Sequence, residues 1–531
     1  MSIIQSVHRV PTLPRCSLFD YIFPGVGNYE DTAFIDGLTG RAVTRGQVQD
    51  HALRLAGGLQ KLGLNRGDVA CIHALNSIEW INALMGCQAA RVIVSPANYA
   101  YTPGELLHQL QDSGSSLVFV DPALVVNLQN SLKLQGAPQI PSSRIILLCP
   151  LAQKPSSEYK CIEELWSDPI GSMAVKGEEE ETTVLCYSSG TTGRGKGVET
   201  THYNLTSQLQ ALHVAAEPLH PKRDMTIGFL PFGHMYLFST GVLANLSIGV
   251  PMVILPRFAE IPVLEAIQKY RVTWALVVPP VLISLLNSTL APSYDLSSLR
   301  AVMSAAAPLG NEVVVAFENK FKVWITQAYG LTEVSPISHI MTVDEAKTRP
   351  GKIGRLVPTF EARIVGDTPE RGELWLAGPS VMKGYWRNPT ATANTFEGRW
   401  FKTGDIAIKD HEGYFSIVDR VKELIKYKGF QVAPAELESL LLSHDKIADA
   451  AVIGVESPSQ GTELPRAYIV PSSSLNSREK ETLPSEIVEW VAEHVANHKR
   501  LRGGVVLLDA IPKTASGKIL RKDLRAAAHK E

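Results

Sequence analysis

Short apolar runs of strand length alternate with segments of helical periodicity over most of the chain. Residues 69–75 form an apolar run, and residues 77–90 follow with Ile78, Ile81, Leu84 and Met85 at helical spacing. Residues 92–96 read as the next strand. Thr102-Pro103-Gly104-Glu105 then opens a helix, with Thr102 as N-cap, Pro103 at the first position and Glu105 closing a capping box. Residues 116–120 and 144–149 are further buried strands, and residues 183–187 precede a glycine-rich loop. This alternation predicts an α/β fold in which largely parallel sheets are covered by helices. Residues 360–365 and 372–377 instead alternate with period two, the mark of a half-buried antiparallel sheet and hence of a β-rich subdomain.

The pattern changes again near Asp419-Arg420. Beyond it come strands at 450–455, 466–470 and 504–508, helices at 434–443 and 484–494, and a basic tail helix. We therefore expect a large N-terminal domain over residues 1–419 and a small α+β C-terminal domain over residues 420–531. No internal repeat of fixed period occurs.

Composition narrows the class. The 531 residues carry 51 Lys+Arg against 53 Asp+Glu, a formal net charge of −2, with 45% apolar and 20% charged residues. This is a globular balance, and it argues against a nucleic-acid binder that works by neutralising phosphates. The six cysteines (Cys16, Cys71, Cys87, Cys149, Cys161, Cys186) include no C-x-x-C pair, so buried free thiols in a reducing compartment are expected. The N-terminal residues lack the apolar core of a signal peptide. The longest apolar stretch, 274–286, contains Pro279 and Pro280 and falls short of the ~20 residues a membrane span needs. The C-terminal residues do not form the S-K-L peroxisomal signal, which leaves the cytoplasm as the expected location.

The richest local signal is Ser188-Ser189-Gly190-Thr191-Thr192-Gly193-Arg194-Gly195-Lys196-Gly197. Four glycines within eight residues free backbone N–H groups to converge on an anion. The hydroxyls add donors, and Arg194 and Lys196 add positive charge. A polyphosphate needs this mixture. Gly190 to Lys196 also fits G-x-x-x-x-G-K, but Gly197 stands where a Walker loop needs Ser or Thr, and Val198-Glu199-Thr200 continues as strand rather than helix.

Tyr187-Ser188-Ser189-Gly190-Thr191-Thr192-Gly193 resembles the phosphate motif of the acyl-adenylate-forming superfamily. Gln327-Ala328-Tyr329-Gly330-Leu331-Thr332-Glu333 is similar to its second nucleotide motif, Thr403-Gly404-Asp405 to its ribose motif, and residues 419–426 to its hinge. Pro512-Lys513-Thr514-Ala515-Ser516-Gly517-Lys518 is similar to its C-terminal lysine motif. The 4-coumarate:CoA ligase branch is the nearest resemblance, through residues 230–236 and 428–438. One departure is Gly195, where family members usually carry proline before the loop lysine.

The resemblance implies an AMP-forming acid–thiol ligase. A carboxylate attacks the α-phosphate of ATP to give acyl-AMP and pyrophosphate, and coenzyme A then displaces AMP. It implies that Ser188, Ser189, Gly190, Thr191, Thr192, Gly193 and Lys196 hold ATP phosphates, with Gln327, Ala328, Tyr329 and Gly330 beside the nucleotide. Thr332 is implied at the α-phosphate, Glu333 as a ligand of Mg2+, and Asp405 and Arg420 at the ribose. Lys518 would bridge the carboxylate and the α-phosphate, while Lys426 and Gln431 support the adenylate. His234 would orient the acid and gate its pocket. For the second step the C-terminal domain would rotate about Lys422, so that Lys428, Gly429 and Phe430 line a pantetheine tunnel, with Arg257 at a coenzyme A phosphate. The acyl pocket is implied at Tyr236, Ala305, Ala306, Ala328, Pro336 and Ile337, which suits an apolar aryl acid of cinnamate or benzoate type, or a medium-chain acid. Two alternatives stand beside this reading: an adenylating enzyme that loads a carrier protein in trans, and a non-catalytic nucleotide-binding member of the fold.

Overall fold

The computed structural model describes residues 2–25, 29–170, 177–188, 195–420, 423–427, 430–457, 460, 462–473, 475–495, 497–514 and 517–528, with backbone alone at 367, 419, 430, 431 and 477. Two mostly parallel sheets dominate the first four hundred residues. One is built on Val69–His73, Ile93–Ala97, Leu117–Val120 and Ile145–Leu147, all parallel. At its other side Thr182–Ser188 joins Ile93–Ala97, and Lys196–Thr201 folds back antiparallel to it. The second sheet has Trp324–Gly330, Ala301–Ser304, Trp274–Val277, Thr226–Gly228 and Met252–Ile254 in parallel succession.

The helix Ile78–Ala89 explains how the two sheets share a core. Ser77 caps it by accepting from the Trp80 N–H at 3.0 Å, and all twelve of its residues are buried. An all-round buried helix must be enclosed by other elements, and Leu84 lies in one continuous cluster with Ile72 of the first sheet and Ile227 of the second. The capping box at Thr102 forms as the sequence predicts: its backbone N–H donates to Glu105 Oε2 at 2.8 Å, and the helix runs Pro103–Ser113. The apolar stretch at 274–286 divides at its prolines. Trp274–Val277 is a strand, and Pro279 and Pro280 open the helix Pro279–Leu286, where their missing N–H groups need no partner. Among the described residues no helix is long and apolar enough to cross a membrane. All six cysteines are free thiols, and all but Cys16 are buried.

The period-two segments form an antiparallel sheet of Glu361–Thr368, Arg371–Ala377, Trp400–Lys409 and Phe415–Arg420. After it, a separate hydrophobic core gathers Ile425, Val432, Leu437, Val452, Ile469, Leu483, Ile487 and Val491. Its sheet pairs Ile447–Ser457 with Thr462–Pro471, to which Val505–Leu507 adds in parallel. One helix departs from expectation. It starts at Ser477, not at 484, capped by Asn476 in a capping box with Glu479, so that Pro484 falls inside it. Leu483, Ile487 and Val491 are fully buried on one face, and that packing outweighs the backbone bond the proline forfeits.

Three buried histidines set an acid limit on this fold. Burial foremost pulls His73, His202 and His339 down from 6.5 to about 4, 3 and 3. Their folded values lie below the unfolded one, so the stabilisation is complete above about pH 6.5 and is lost as pH falls toward 3–4. At about pH 5.5 each neutral ring should cost about 1.4 kcal/mol to keep. Urea unfolding at about pH 7.5 and 5.5 checks this: the midpoint should fall with acid, and His202→Gln should make the difference smaller. A midpoint independent of pH refutes it.

Candidate active site

The strand Thr182–Ser188 of the first sheet meets the turn Thr332–Val334, which follows the strand Trp324–Gly330 of the second, at one crevice. Ser188 and Lys196 face each other across the antiparallel hairpin whose connecting residues, Ser189, Gly190, Thr191, Thr192, Gly193 and Arg194, lie outside the described residues. Ser188 Oγ is buried with no hydrogen-bond partner among the described residues, a donor available to an anion in the loop. Lys196 Nζ stands 3.8 Å from the centroid of the Tyr385 ring, and the Tyr385 hydroxyl donates to Glu333 Oε1 at 2.9 Å. Tyr385 thus ties the end of the loop to the second nucleotide segment. The sequence reading did not single it out, although it sits three residues after Met382, in a segment that runs beside Lys196–Thr201.

Gln327, Ala328, Tyr329 and Gly330 end the strand Trp324–Gly330. A Cβ at Gly330 would lie 1.8 Å from the Pro336 carbonyl oxygen, so only glycine lets the chain fold this tightly. The Leu331 N–H donates to that same carbonyl at 3.0 Å, closing a turn that carries Thr332 and Glu333. The Met382 N–H donates to the Glu333 carbonyl at 2.9 Å and fixes the turn from the other side.

Asp405 is 3% exposed and held by two partners. Tyr329 donates its hydroxyl to Oδ2 at 2.6 Å, and Arg420 Nε approaches Oδ1 at 2.9 Å. Burial raises its carboxyl, while Arg420 and Tyr329 oppose the rise. The strand register pairs Asp405 directly with Arg420, so the two motifs that hold them meet by sheet pairing alone.

Lys518 reaches this crevice from the last loop. Gly517 is left-handed at φ +82°, and a Cβ there would stand 2.7 Å from Pro280 Cγ. Both facts require glycine. The loop is internally tied by Thr514 N–H to the Lys518 carbonyl at 2.8 Å and by Lys518 N–H to Thr514 Oγ1 at 3.1 Å. Arg521, three residues on, pairs with Glu423 at 2.8 Å and Glu438 at 2.6 Å and so anchors the start of the last helix. Burial pulls the Lys518 ammonium down from 10.5 to about 8. Arg420 adds to the fall, while Glu423, Asp405 and Glu333 resist it.

His234 is half-buried and caps the short helix Met235–Leu237, its Nδ1 accepting from the Tyr236 N–H at 3.3 Å. That assigns the ring proton to Nε2. Burial and the Lys518 ammonium hold the imidazole at about 4, so it is neutral at physiological pH. Beside it lies a small apolar pocket lined by Leu230, Pro231, His234, Tyr236, Leu237, Val278 and Ala306. Two of the six pocket residues named from the sequence, Tyr236 and Ala306, line it. Ala305, Ala328 and Ile337 do not line it, although they are buried in the large hydrophobic cluster that also holds Tyr236, and Pro336 precedes Ile337 on the 330–337 turn. The Tyr236 hydroxyl donates to the Met303 carbonyl at 2.7 Å, so the pocket's one expected polar handle is spent on the backbone. Ala306 has a left-handed backbone at φ +71°, a strained setting for a residue with a Cβ.

The other candidate residues are exposed or lie outside the described residues. Arg257 is exposed after the strand Met252–Ile254. The exposed Lys426 pairs in backbone register with Gln431 on the hairpin of Ile425–Tyr427 and Phe430–Val432. Its N–H donates to Glu463 Oε2 at 2.7 Å. Lys422, Lys428 and Gly429 lie outside the described residues, as do the side chains of Phe430 and Gln431.

Comparison with known proteins agrees in sequence and in shape. Residues 26–386 match the family "AMP-binding enzyme", and residues 436–518 match "AMP-binding enzyme C-terminal domain". A 4-coumarate–CoA ligase of Pinus taeda is 37% identical over 527 residues, covering 96% of this chain and 94% of that protein. The crystal structure of an anthranilate CoA ligase in complex with anthranoyl-AMP superposes with a TM-score of 0.86 at 26% identity, covering 97% of this chain and 98% of the other. A benzoate CoA ligase from Burkholderia xenovorans gives a TM-score of 0.83 at 27% identity, covering 96% and 99%.

The charge balance around Lys518 can be measured directly. Reductive methylation with labelled carbon, followed by NMR against pH, should show one lysine titrating near 8 that is missing in Lys518→Arg. Arg420→Gln removes a neighbouring positive charge and should raise that value, whereas Asp405→Asn should lower it. A Lys518 signal at the ordinary value near 10.5 would refute the buried setting.

Proposed function

The chain belongs to the AMP-binding enzyme family, and we propose that it is an AMP-forming ligase joining an apolar aryl acid to coenzyme A through an acyl-adenylate. The observation that carries this reading is the delivery of Lys518 to a crevice holding Asp405, Arg420, Glu333 and His234, with Gly517 packed on Pro280. Two anions, the acid's carboxylate and the α-phosphate of ATP, must meet there. A flexible ammonium in a partly dry setting screens their repulsion as the new bond forms, and this is positioning and electrostatics rather than covalent catalysis.

The remaining roles are those the family resemblance implies, and the geometry is compatible with them. His234, neutral and protonated on Nε2, donates to a carboxylate oxygen and orients it without adding charge. Ser188 and Lys196, with the loop between them, take the β- and γ-phosphates. Asp405 accepts from the ribose hydroxyls, with Arg420 and Tyr329 fixing its oxygens. Among the described residues no group of three or more His, Cys, Asp or Glu could hold a metal. Glu333, one of whose oxygens accepts from Tyr385, would be the residue to hold Mg2+. Such an ion would supply charge neutralisation on the leaving pyrophosphate.

We place the division between units at residue 420, supported by the separate cores on either side of it. Rotation of the C-terminal unit about Lys422 would withdraw Lys518 and bring Lys428, Gly429 and Phe430 to the acyl-adenylate for the thiol step, with Arg257 at a coenzyme A phosphate. Lys426 and Gln431, neighbours across one hairpin, would move with it. The aryl preference is supported by the names of the relatives and by a pocket that offers no charge and a tyrosine hydroxyl already engaged.

Two experiments test the reading. Lys518→Ala should slow acyl-AMP formation by about 10²–10³-fold while sparing thioester formation from supplied acyl-AMP. Pyrophosphate–ATP exchange that survives at the wild-type rate would dismiss the assignment. In the wild type, kcat/KM for this exchange should decline as pH rises through about 8, where Lys518 sheds its proton. For the pocket, Ala328→Gly removes a buried methyl group and should shift preference toward bulkier acids by about 1–3 kcal/mol per methylene accommodated. The check is kcat/KM across a size series of aryl and aliphatic acids: an unchanged profile takes residue 328 out of the pocket, and a strong preference for acetate overturns the aryl reading.

A further inference from the structure

The phosphate hairpin is gripped from a helix that none of the sequence motifs includes. Pro103–Ser113 starts at a complete capping box and ends on the left-handed Gly114. His108 and Asp112, four residues apart, share one face of it. His108 Nε2 lies 2.9 Å from the Gly195 carbonyl oxygen, and because that oxygen only accepts, Nε2 carries the proton. One turn on, Asp112 Oδ2 accepts from the Tyr187 hydroxyl at 2.6 Å. The His108 and Tyr187 rings meet edge to face at 6.3 Å. Tyr187 belongs to the strand entering the loop, and Gly195 is the first described residue leaving it. One helix face therefore holds both legs of the hairpin.

Gly195 explains why such a grip matters. Its φ is not left-handed, and a Cβ there would meet nothing closer than the Ser188 carbonyl at 3.4 Å, an ordinary contact. Neither backbone geometry nor space demands glycine. The residue therefore brings only conformational freedom to the position immediately before Lys196, the cation that leans on Tyr385. A hydrogen bond to its carbonyl restores part of the restraint that a stiffer residue would supply by itself.

We propose that His108 and Asp112 are positioning residues for the adenylation step, holding Gly195 and Tyr187 so that the loop and Lys196 meet the β- and γ-phosphates of ATP in register. This rests on the ligase reading above and adds to it residues that touch no substrate. The thiol step starts from acyl-AMP, which has no β- or γ-phosphate, so the grip should matter to the first half-reaction alone.

The test uses the whole 531-residue chain and both half-reactions. His108→Ala should raise the ATP KM in pyrophosphate–ATP exchange about five- to tenfold, the worth of one such hydrogen bond, with kcat and thioester formation from supplied acyl-AMP unchanged. His108→Gln, which keeps an Nε2 donor, should restore the ATP KM. Gly195→Ala added to His108→Ala should recover part of it by removing the glycine's freedom. An unchanged ATP KM in His108→Ala, an equal loss in both half-reactions, or failure of both recoveries overturns the inference. A wild-type protein with no acid-dependent exchange removes the ligase reading itself and this inference with it. Normal exchange insensitive to His108 removes the inference alone.

Discussion

A charged lysine held in a partly dry crevice is the constraint on which the rest of the structure depends. Lys518 loses hydration in the site and Arg420 repels it, while Glu423, Asp405 and Glu333 help to hold the ammonium charged. Those acids come from three different elements. Asp405 is fixed by sheet pairing with Arg420, Glu333 by the turn behind Gly330, and Glu423 by its bond to Arg521 near the lysine itself. The charge is thus balanced across the division between the two hydrophobic cores. Each side supplies part of the charge that the other needs.

Close backbone approach is the second recurring device. Gly330 lies against the Pro336 carbonyl, and Gly517 against Pro280; in both places a methyl group would overlap an atom that cannot move away. These contacts set position more tightly than side-chain hydrogen bonds can, because they join backbone or ring to backbone. Gly195 is different in kind. It has room for a side chain, and its restraint comes from outside the loop, from His108.

Burial also settles protonation. His234 loses solvation and sits near the Lys518 ammonium, so its ring is neutral and not a second cation. Tyr236, the natural candidate for recognising a polar acid, gives its hydroxyl to Met303. Together these leave an apolar pocket whose tyrosine hydroxyl is engaged and whose one histidine is neutral.

Much of this was legible in the order of residues. Period and capping chemistry placed the strands, the Thr102 helix and the change to antiparallel pairing near 360, because those signals are local and the backbone must satisfy them locally. The nucleotide motifs were visible because phosphate binding needs glycines, hydroxyls and a cation close together in the chain. The helix start at Ser477 is not legible locally, since buried Leu483, Ile487 and Val491 outweigh what Pro484 says. Tyr385, His108 and Asp112 carried no sequence signal at all. Each acts on a partner that is distant in sequence, at separations of 52, 87 and 75 residues, and only sheet and helix packing brings the pairs together. The sequence alone determined which chemical groups are present and which local elements they lie on. The tertiary structure decided which groups share a crevice and which are already engaged, because desolvation and hydrogen-bond partnership belong to neighbours in space.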